Sequence, residues 1–172
     1  MKKLLALLML LPLAVFTLGC DSVDDDDIDV GDDPTAIYGT WVSEGDDIAP
    51  GLAALFGTTR ITAVFNANNT YEVTELRAPG DPAITYTGTY STTATATGNI
   101  RSISLTQGVP FGAEAQGIYE VNPAQTTMRY EVIQVQPDIG AVPPSASAGF
   151  GSTVIGGTPQ GSTWVQNYVK VQ

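Results

Sequence analysis

The stretch that decides the fold is residues 60–76, RITAVFNANNTYEVTEL, which contains two alternating runs joined by a short polar turn. The Val, Ile, Thr, Phe and Tyr side chains suit a half-buried strand, and Asn69 can adopt the left-handed conformation that a tight turn requires. We therefore predict a hairpin with a three-residue loop, residues 67–69, whose inward pairs are Phe65 with Tyr71 and Ala63 with Val73. Arg60 and Glu72 face outward, and a one-residue shift would destroy the apolar face.

The chain on both sides of this hairpin has the same character. Short alternating runs rich in Thr, Val, Ile and Tyr are separated by Gly, Pro and Asn, which is typical of an all-β domain. Between the first two runs lies a helix-like segment, residues 48–56, with Asp47 as its expected cap and residues 53–56 as its apolar face. The eight predicted strands are residues 38–43, 59–66, 70–76, 83–91, 100–106, 114–122, 126–135 and 163–171.

A second hairpin is predicted around the turn Asn122-Pro-Ala-Gln125. The predicted pairs are Tyr119 with Met128 and Val121 with Thr126 on one face, with Glu120 and Arg129 as diagonal neighbours on the other.

The predicted fold is an eight-stranded antiparallel up-and-down β-barrel with one short helix between strands one and two. Closing the sheet on itself buries one face and removes both free edges. A β-sandwich with the same strand count is the alternative, and composition does not separate the two.

Residues 137–162 form a long segment rich in Pro, Gly, Ala and Ser before the last strand. A flexible excursion is the favoured interpretation, since such a composition lacks regular alternation. The alternative is a lid over the barrel mouth, because the segment also carries apolar residues: Ile139, Val142, Phe150, Val154 and Ile155.

The N-terminus predicts export. Lys2 and Lys3 precede an apolar run, residues 4–18, which is shorter than the roughly 20 residues that a spanning helix needs. Thr17-Leu18-Gly19-Cys20 resembles the lipobox of bacterial lipoproteins, with Thr17 where the usual pattern has Leu. The resemblance implies that residues 1–19 are a signal peptide and that Cys20 is acylated. An ordinary signal peptide that happens to contain a cysteine is the alternative.

Residues 20–35 are strongly acidic and predict a solvated, disordered tether between the lipidated cysteine and a domain formed by residues 36–172. Calcium binding by these carboxylates is the alternative. The chain has a net charge of −11, so nucleic acid is not an expected partner. The expected location is the outer membrane, on its periplasmic or cell-surface face, with the membrane contacted through acylated Cys20.

The order of several short motifs resembles the lipocalin-like domains of small bacterial lipoproteins, over residues 37–171. These motifs are Tyr38-Gly39-Thr40-Trp41, the hairpin from Phe65 to Tyr71, Thr87-Gly88-Thr89-Tyr90, and Ile118-Tyr119-Glu120-Val121. The resemblance implies structural roles for Gly39 and Trp41, with Trp41 closing one end of the barrel against a basic residue of the last strand. Lys170 is the basic residue available there.

Catalytic chemistry is not expected. The chain has no histidine, and its single cysteine is the predicted lipid site, so the commonest general base and every thiol mechanism are missing. No cofactor or metal is predicted. The expected function is binding of a small hydrophobic ligand, and the alternative is a structural or interaction protein with a solid core. The predicted barrel lining is Phe65, Tyr71, Val73, Tyr86, Tyr90, Tyr119, Met128 and Tyr130.

Overall fold

The computed structural model describes Asp33 and residues 35–172, and these residues form a closed antiparallel barrel with one short α-helix. The barrel strands are β1 (Gly39–Glu44), β2 (Arg60–Phe65), β3 (Thr70–Leu76), β4 (Ile84–Ala94), β5 (Arg101–Val109), β6 (Ala113–Val121), β7 (Thr127–Gln136) and β11 (Gln166–Lys170). The helix α1 (Pro50–Phe56) follows a 3₁₀ turn (Gly45–Asp47), and a second 3₁₀ turn (Gly161–Trp164) precedes β11. Three two-residue strands, β8 (Ala141–Val142), β9 (Val154–Ile155) and β10 (Thr158–Pro159), form a small separate sheet.

Pairing between the first and last barrel strands closes the sheet. Each strand from β1 to β6 pairs with the next along the chain, and β11 pairs with both β7 and β1. In the β1–β11 ladder Trp41 lies opposite Lys170 and Val42 opposite Val169. The Val171 amide also donates to the Thr40 carbonyl at 2.8 Å. The predicted eight-stranded barrel is therefore confirmed, and the sandwich alternative is wrong.

The hairpin from which the prediction began has the expected register. Phe65 pairs with Tyr71 and Ala63 with Val73, and Asn69 adopts a φ of 63°. The Asn69 amide donates to the Asn66 carbonyl at 3.0 Å, which closes the three-residue loop. The alternation of apolar and polar residues and the residues of the turn specify the same register, so together they were sufficient to predict this hairpin.

The second predicted hairpin has the correct faces but the wrong register. Val121 pairs with Met128 and Tyr119 with Tyr130, a slip of two residues, so Glu120 lies directly opposite Arg129. The turn is longer than predicted because the Asn122 carboxamide accepts hydrogen bonds from the amides of both Thr126 and Thr127, at 2.8 and 3.0 Å. A two-residue slip preserves the side-chain period, so the apolar face was still predicted correctly.

The helix begins two residues later than predicted, and its apolar face was assigned wrongly. Asp47 lies in the 3₁₀ turn, and Ala49 occupies the N-cap position without a side-chain cap. Residues 53–56 are exposed, with Leu55 68% accessible, whereas Ile48, Ala49 and Gly51 are buried. The first turn of the helix packs against the 3₁₀ turn before β11. Gly51 allows this close approach, because a Cβ on Gly51 would come within 3.0 Å of the Trp164 ring.

One half of the barrel interior is filled by a core around Trp41, which is completely buried. Its indole N–H donates to the Ile37 carbonyl at 2.7 Å, and the Lys170 ammonium lies 5.1 Å from the ring centroid. Gly39 has a φ of +120°, and a Cβ at this position would come within 2.8 Å of Lys170 Cε. Trp41, Gly39 and Lys170 therefore lie together at one end of the barrel, which we call the closed end, and the lipocalin-type role of these residues stays a prediction.

A second buried region lies on the outer wall, under the segment between β7 and β11. Glu131 and Ile118 face each other across β6 and β7, point away from the interior, and are both 0% exposed. The Glu131 carboxylate accepts hydrogen bonds from the Gly151 amide (2.6 Å), the Thr153 amide (3.2 Å) and the Thr153 hydroxyl (2.6 Å). Residues 151–153 are thus bonded to the outer wall. A movement of the segment over the barrel mouth stays a prediction.

The chain enters the barrel at the closed end. Arg101 Nη1 donates to the Asp33 carboxylate at 3.1 Å and to the Thr35 hydroxyl at 2.7 Å. Asp33 and Thr35, which were predicted to belong to the tether, therefore contact the folded domain. The predicted signal peptide, Cys20 and the rest of the acidic segment lie outside the described residues. In the part that the structure describes, no helix is long and apolar enough to cross a membrane.

We predict that Glu131→Gln destabilises the protein by about 1–3 kcal/mol and speeds amide exchange at Gly151 and Thr153. The amide group replaces one acceptor oxygen with a donor, so at least one backbone N–H loses its partner in a buried site. Urea unfolding and hydrogen exchange measure the two effects. Glu114→Gln, on an exposed position of β6, is the control. Unchanged exchange at both amides would show that the carboxylate does not hold the segment.

Candidate ligand-binding site

A cavity of about 290 Å³ lies in the other half of the barrel, which we call the open end. Strand alternation sends every second side chain inward. Inward residues of the strands from β2 to β7 and of β11 surround this space. Its lining is Leu52, Ile61, Ala63, Phe65, Tyr71, Val73, Glu75, Tyr86, Leu105, Gln107, Ala113, Ala115, Tyr130, Val132, Gln134, Trp164, Gln166 and Tyr168.

Aromatic rings form the inner part of the cavity wall. Phe65 packs edge to face on Tyr90 with centroids 5.2 Å apart, and Tyr130 packs edge to face on Tyr168 at 5.9 Å. Phe65 also lies 6.4 Å from Tyr130, which connects the two pairs. These separations are those of favourable aromatic contacts. Phe65, Tyr130 and Tyr168 line the cavity, and Tyr90 packs against Phe65 from the core around Trp41.

The space exists because small residues face the aromatic wall. Ala63, Ala113 and Ala115 line the cavity from β2 and β6, where larger side chains would fill it. At the closed end, the corresponding volume is occupied by Trp41 and its buried neighbours. The difference in side-chain size explains why one half of the same barrel is solid and the other is not.

Glu75 is the only acidic side chain in the lining, and its carboxylate is fully bonded. It accepts from Thr58 Oγ1 (2.5 Å), Arg77 Nε (3.0 Å), Arg77 Nη2 (3.1 Å) and the Tyr86 hydroxyl (2.9 Å). Burial raises the pKa of Glu75, but the hydrogen bonds from Arg77, Thr58 and Tyr86 outweigh it, so the net pKa lies below its ordinary value. Among the described residues, no group of three or more acidic, Cys or His side chains could hold a metal ion.

The tyrosines of the lining stay neutral over the whole physiological range. Burial, with the carboxylate of Glu75 adding to it, raises the pKa of Tyr86 to about 12. Burial also raises the pKa of Tyr71, Tyr130 and Tyr168. The lining therefore carries one charge, on Glu75, and the adjacent Arg77 compensates it.

Helix α1 and the 3₁₀ turn before β11 cover part of the opening. Leu52 from the helix and Trp164 from the turn both line the cavity. Gly51 allows the close contact between these two elements, because a Cβ would also lie 2.9 Å from Thr163 Cγ2. Residues 137–162 contribute nothing to the lining, so the covering elements are ones that the sequence did not predict for this role.

Two of the polar side chains in the lining each have a buried nitrogen without a hydrogen-bond partner. Trp164 Nε1 and Gln166 Nε2 are both buried without a hydrogen-bond partner. The other two glutamines differ, since Gln107 Nε2 donates to the Phe111 carbonyl and Gln134 Nε2 to the Pro137 carbonyl, both at 2.9 Å. Buried donors without partners are rare in folded proteins.

Exposed apolar side chains concentrate around the same end of the barrel. Residues 45–59, 77–83, 110–112 and 137–165 make the four connections at this end. Seven of the nine large apolar residues that are exposed belong to these connections or to the adjoining strand ends: Leu55, Phe56, Leu76, Val109, Phe111, Ile139 and Val142. The opening is therefore surrounded by an apolar rim.

The structure brings five of the eight predicted lining residues to the cavity: Phe65, Tyr71, Val73, Tyr86 and Tyr130. Tyr90, Tyr119 and Met128 also point inward, but they belong to the buried cluster around Trp41 and do not line the cavity. The prediction placed all eight in one continuous interior, because alternation gives the face of a residue but not its depth along the barrel.

Most of the polar residues of the site were not predicted from the sequence. Alternation from Tyr71 and Val73 reaches Glu75, so extending the hairpin pattern would have found it. Gln166 could have been found in the same way from Lys170 and Tyr168. Trp164 and Leu52 lie outside the barrel strands, and no sequence pattern places them at the cavity.

Comparison with protein-family models, curated proteins and solved structures found no significant match to this chain.

We predict that Glu75→Gln destabilises the fold at neutral pH and that this difference shrinks as the pH falls below 4.5, the ordinary value of the carboxyl. A pKa that is lower in the folded state means that the carboxylate stabilises the fold above this value and loses that contribution on protonation. Urea unfolding between pH 7 and pH 3 measures the gap. Glu72→Gln, on the exposed face of the same strand, is the control. A difference in unfolding free energy between the wild type and Glu75→Gln that does not change with pH would show that the charge of Glu75 does not stabilise the fold.

Proposed function

We propose that this protein is a lipid-anchored lipoprotein of the cell envelope whose lipocalin-like barrel binds a small, mostly apolar ligand. The observation that carries the proposal is the cavity at the open end. A volume of about 290 Å³ is at the lower limit of ligand sites, and its wall of aromatic and aliphatic side chains with a few polar groups is typical of them.

The solid-core alternative accounts for only half of the barrel. Side chains fill the interior around Trp41, as in small packed barrels, but Ala113 and Ala115 leave space at the other end. A protein selected only for stability gains by filling such a space, because each buried CH₂ group contributes roughly 0.8 kcal/mol. The apolar rim supports the same proposal, because exposed apolar side chains at the opening offer an apolar ligand a first contact beside the cavity.

The anchor is proposed from the N-terminal sequence. The basic start, the apolar run and the small residue before Cys20 together support cleavage after Gly19 and acylation of the cysteine. Two or three acyl chains hold a protein firmly at a membrane, whereas one holds it only marginally. The expected location is the outer membrane, on either face.

The ligand proposal predicts that Ala115→Leu weakens binding of an apolar fluorophore, N-phenyl-naphthylamine, about ten-fold or more. The larger side chain occupies space that the fluorophore would fill, and a ten-fold loss of affinity corresponds to about 1.4 kcal/mol. Fluorescence titration of the chain from Asp21 onward measures the affinity. This shortened chain is suitable because the described residues close their own sheet and contain their own core.

The matched control is Gln116→Leu, which adds an apolar side chain at the neighbouring, outward position of β6. It should leave the affinity near that of the wild type. Equal affinities for both variants would place the fluorophore outside the cavity, and no binding to the wild type would favour the solid-core alternative.

The anchor proposal predicts that the mature protein begins at Cys20 and carries acyl chains. Intact mass analysis of material purified from a bacterial envelope should show loss of residues 1–19 and the added mass of the lipid. Cys20→Ser removes the acylation site, so this variant should lose that lipid mass. Wild-type protein that is cleaved elsewhere and carries no lipid would favour the ordinary signal peptide.

A further inference from the structure

We infer that the ligand carries an uncharged hydrogen-bond acceptor, of the carbonyl type, which pairs with the side chains of Trp164 and Gln166. This inference rests on the proposed function, because it specifies the chemistry of the same cavity. It starts from the two buried donors without partners in the lining, which the packing of the barrel does not explain.

Trp164 determines the polarity of the missing partner. An indole N–H can only donate, so its partner must be an acceptor. The Trp164 ring lies beside Gly51 in helix α1, where a Cβ would come within 3.0 Å of it, and the residue ends the 3₁₀ turn at the opening. A donor held in this position without a partner costs about 1–3 kcal/mol, and an acceptor supplied by a ligand removes that cost.

Gln166 adds a second donor from the adjacent strand. It is 4% exposed, lies on the inner face of β11, and pairs with Tyr130, which also lines the cavity. Gln107 and Gln134 line the same cavity, but their amides already donate to backbone carbonyls at the rim. Of the three glutamines in the lining, only Gln166 therefore has a side-chain N–H group without a hydrogen-bond partner. Gln166 lies two residues after Trp164 in the chain.

The charge of the site excludes an ionic acceptor. The lining contains no Lys or Arg, and the guanidinium of Arg77, which contacts the lining residue Glu75, already donates to that carboxylate. A carboxylate or phosphate in the cavity would lose its hydration, gain no counterion and lie in the same lining as Glu75. Ketones, esters and amides offer an acceptor oxygen without that cost.

The test uses two matched fluorophores and the chain from Asp21 onward. Prodan is a dimethylamino-naphthalene with a propionyl carbonyl whose emission shifts to longer wavelength when the carbonyl accepts a hydrogen bond. Its analogue with a propyl group has the same apolar body and no carbonyl. Wild-type protein should bind Prodan more tightly than the analogue, and Gln166→Met should lower that preference about five-fold and shift the Prodan emission to shorter wavelength.

Gln134→Met is the matched control, because it removes an amide of the same lining that is already bonded. It should change the affinities for both fluorophores alike and leave their ratio constant. Trp164→Phe, which keeps an aromatic ring and removes the N–H, is a second variant in case Gln166→Met does not fold, and it should lower the ratio in the same way.

If the wild type and both site variants bind Prodan over its propyl analogue with the same preference, the inference is overturned. Apolar binding, and so the proposed function, would remain intact. Failure of the wild type to bind either fluorophore would overturn both. Tighter binding of a matched carboxylate than of Prodan would also overturn the inference, because the acceptor would then be an anion.

Discussion

The pairing of β1 with β11 is the interaction on which the rest of the structure depends. It joins two segments near opposite ends of the chain through two register positions and the hydrogen bond from Val171 to Thr40. Without it the sheet would have two free edges and an open interior. The same pairing sets Lys170 against the Trp41 ring and brings Gln166 into the wall of the cavity.

The closed sheet encloses an interior with two different halves, and the difference between them comes from the size of the inward side chains. Trp41 and the large residues of its cluster fill one half, where the indole N–H finds its acceptor in the Ile37 carbonyl. Alanines leave the other half open, and there the polar groups are of two kinds. Glu75 has a partner for every oxygen, whereas Trp164 and Gln166 each keep a buried donor unpaired. The two tryptophans thus mark the structural and the candidate binding half of one barrel.

The outer wall shows how a buried charge can serve the fold rather than the site. Glu131 points away from the interior, yet it is covered by the segment that connects β7 with β11 and is bonded to the backbone of Gly151 and Thr153. A buried carboxylate is tolerated only with such partners. The composition of that segment gave no sign of this contact, because the pairing is between a strand and a loop far apart in sequence.

The sequence by itself determined the strands and the face that each strand residue occupies, because alternation and turn chemistry are local properties. The pairing of β1 with β11, which makes a barrel and not a sandwich, was decided by the tertiary structure. The hairpin from Phe65 to Tyr71 could be predicted to the residue from these properties, whereas the contact between Trp41 and Lys170 was implied only by a family resemblance. Tertiary structure decided the depth of each inward side chain, so that Tyr119 joined the core while Tyr130 reached the cavity. It also decided that helix α1 and Trp164 cover the opening, because such contacts depend on how distant segments meet and not on any local pattern.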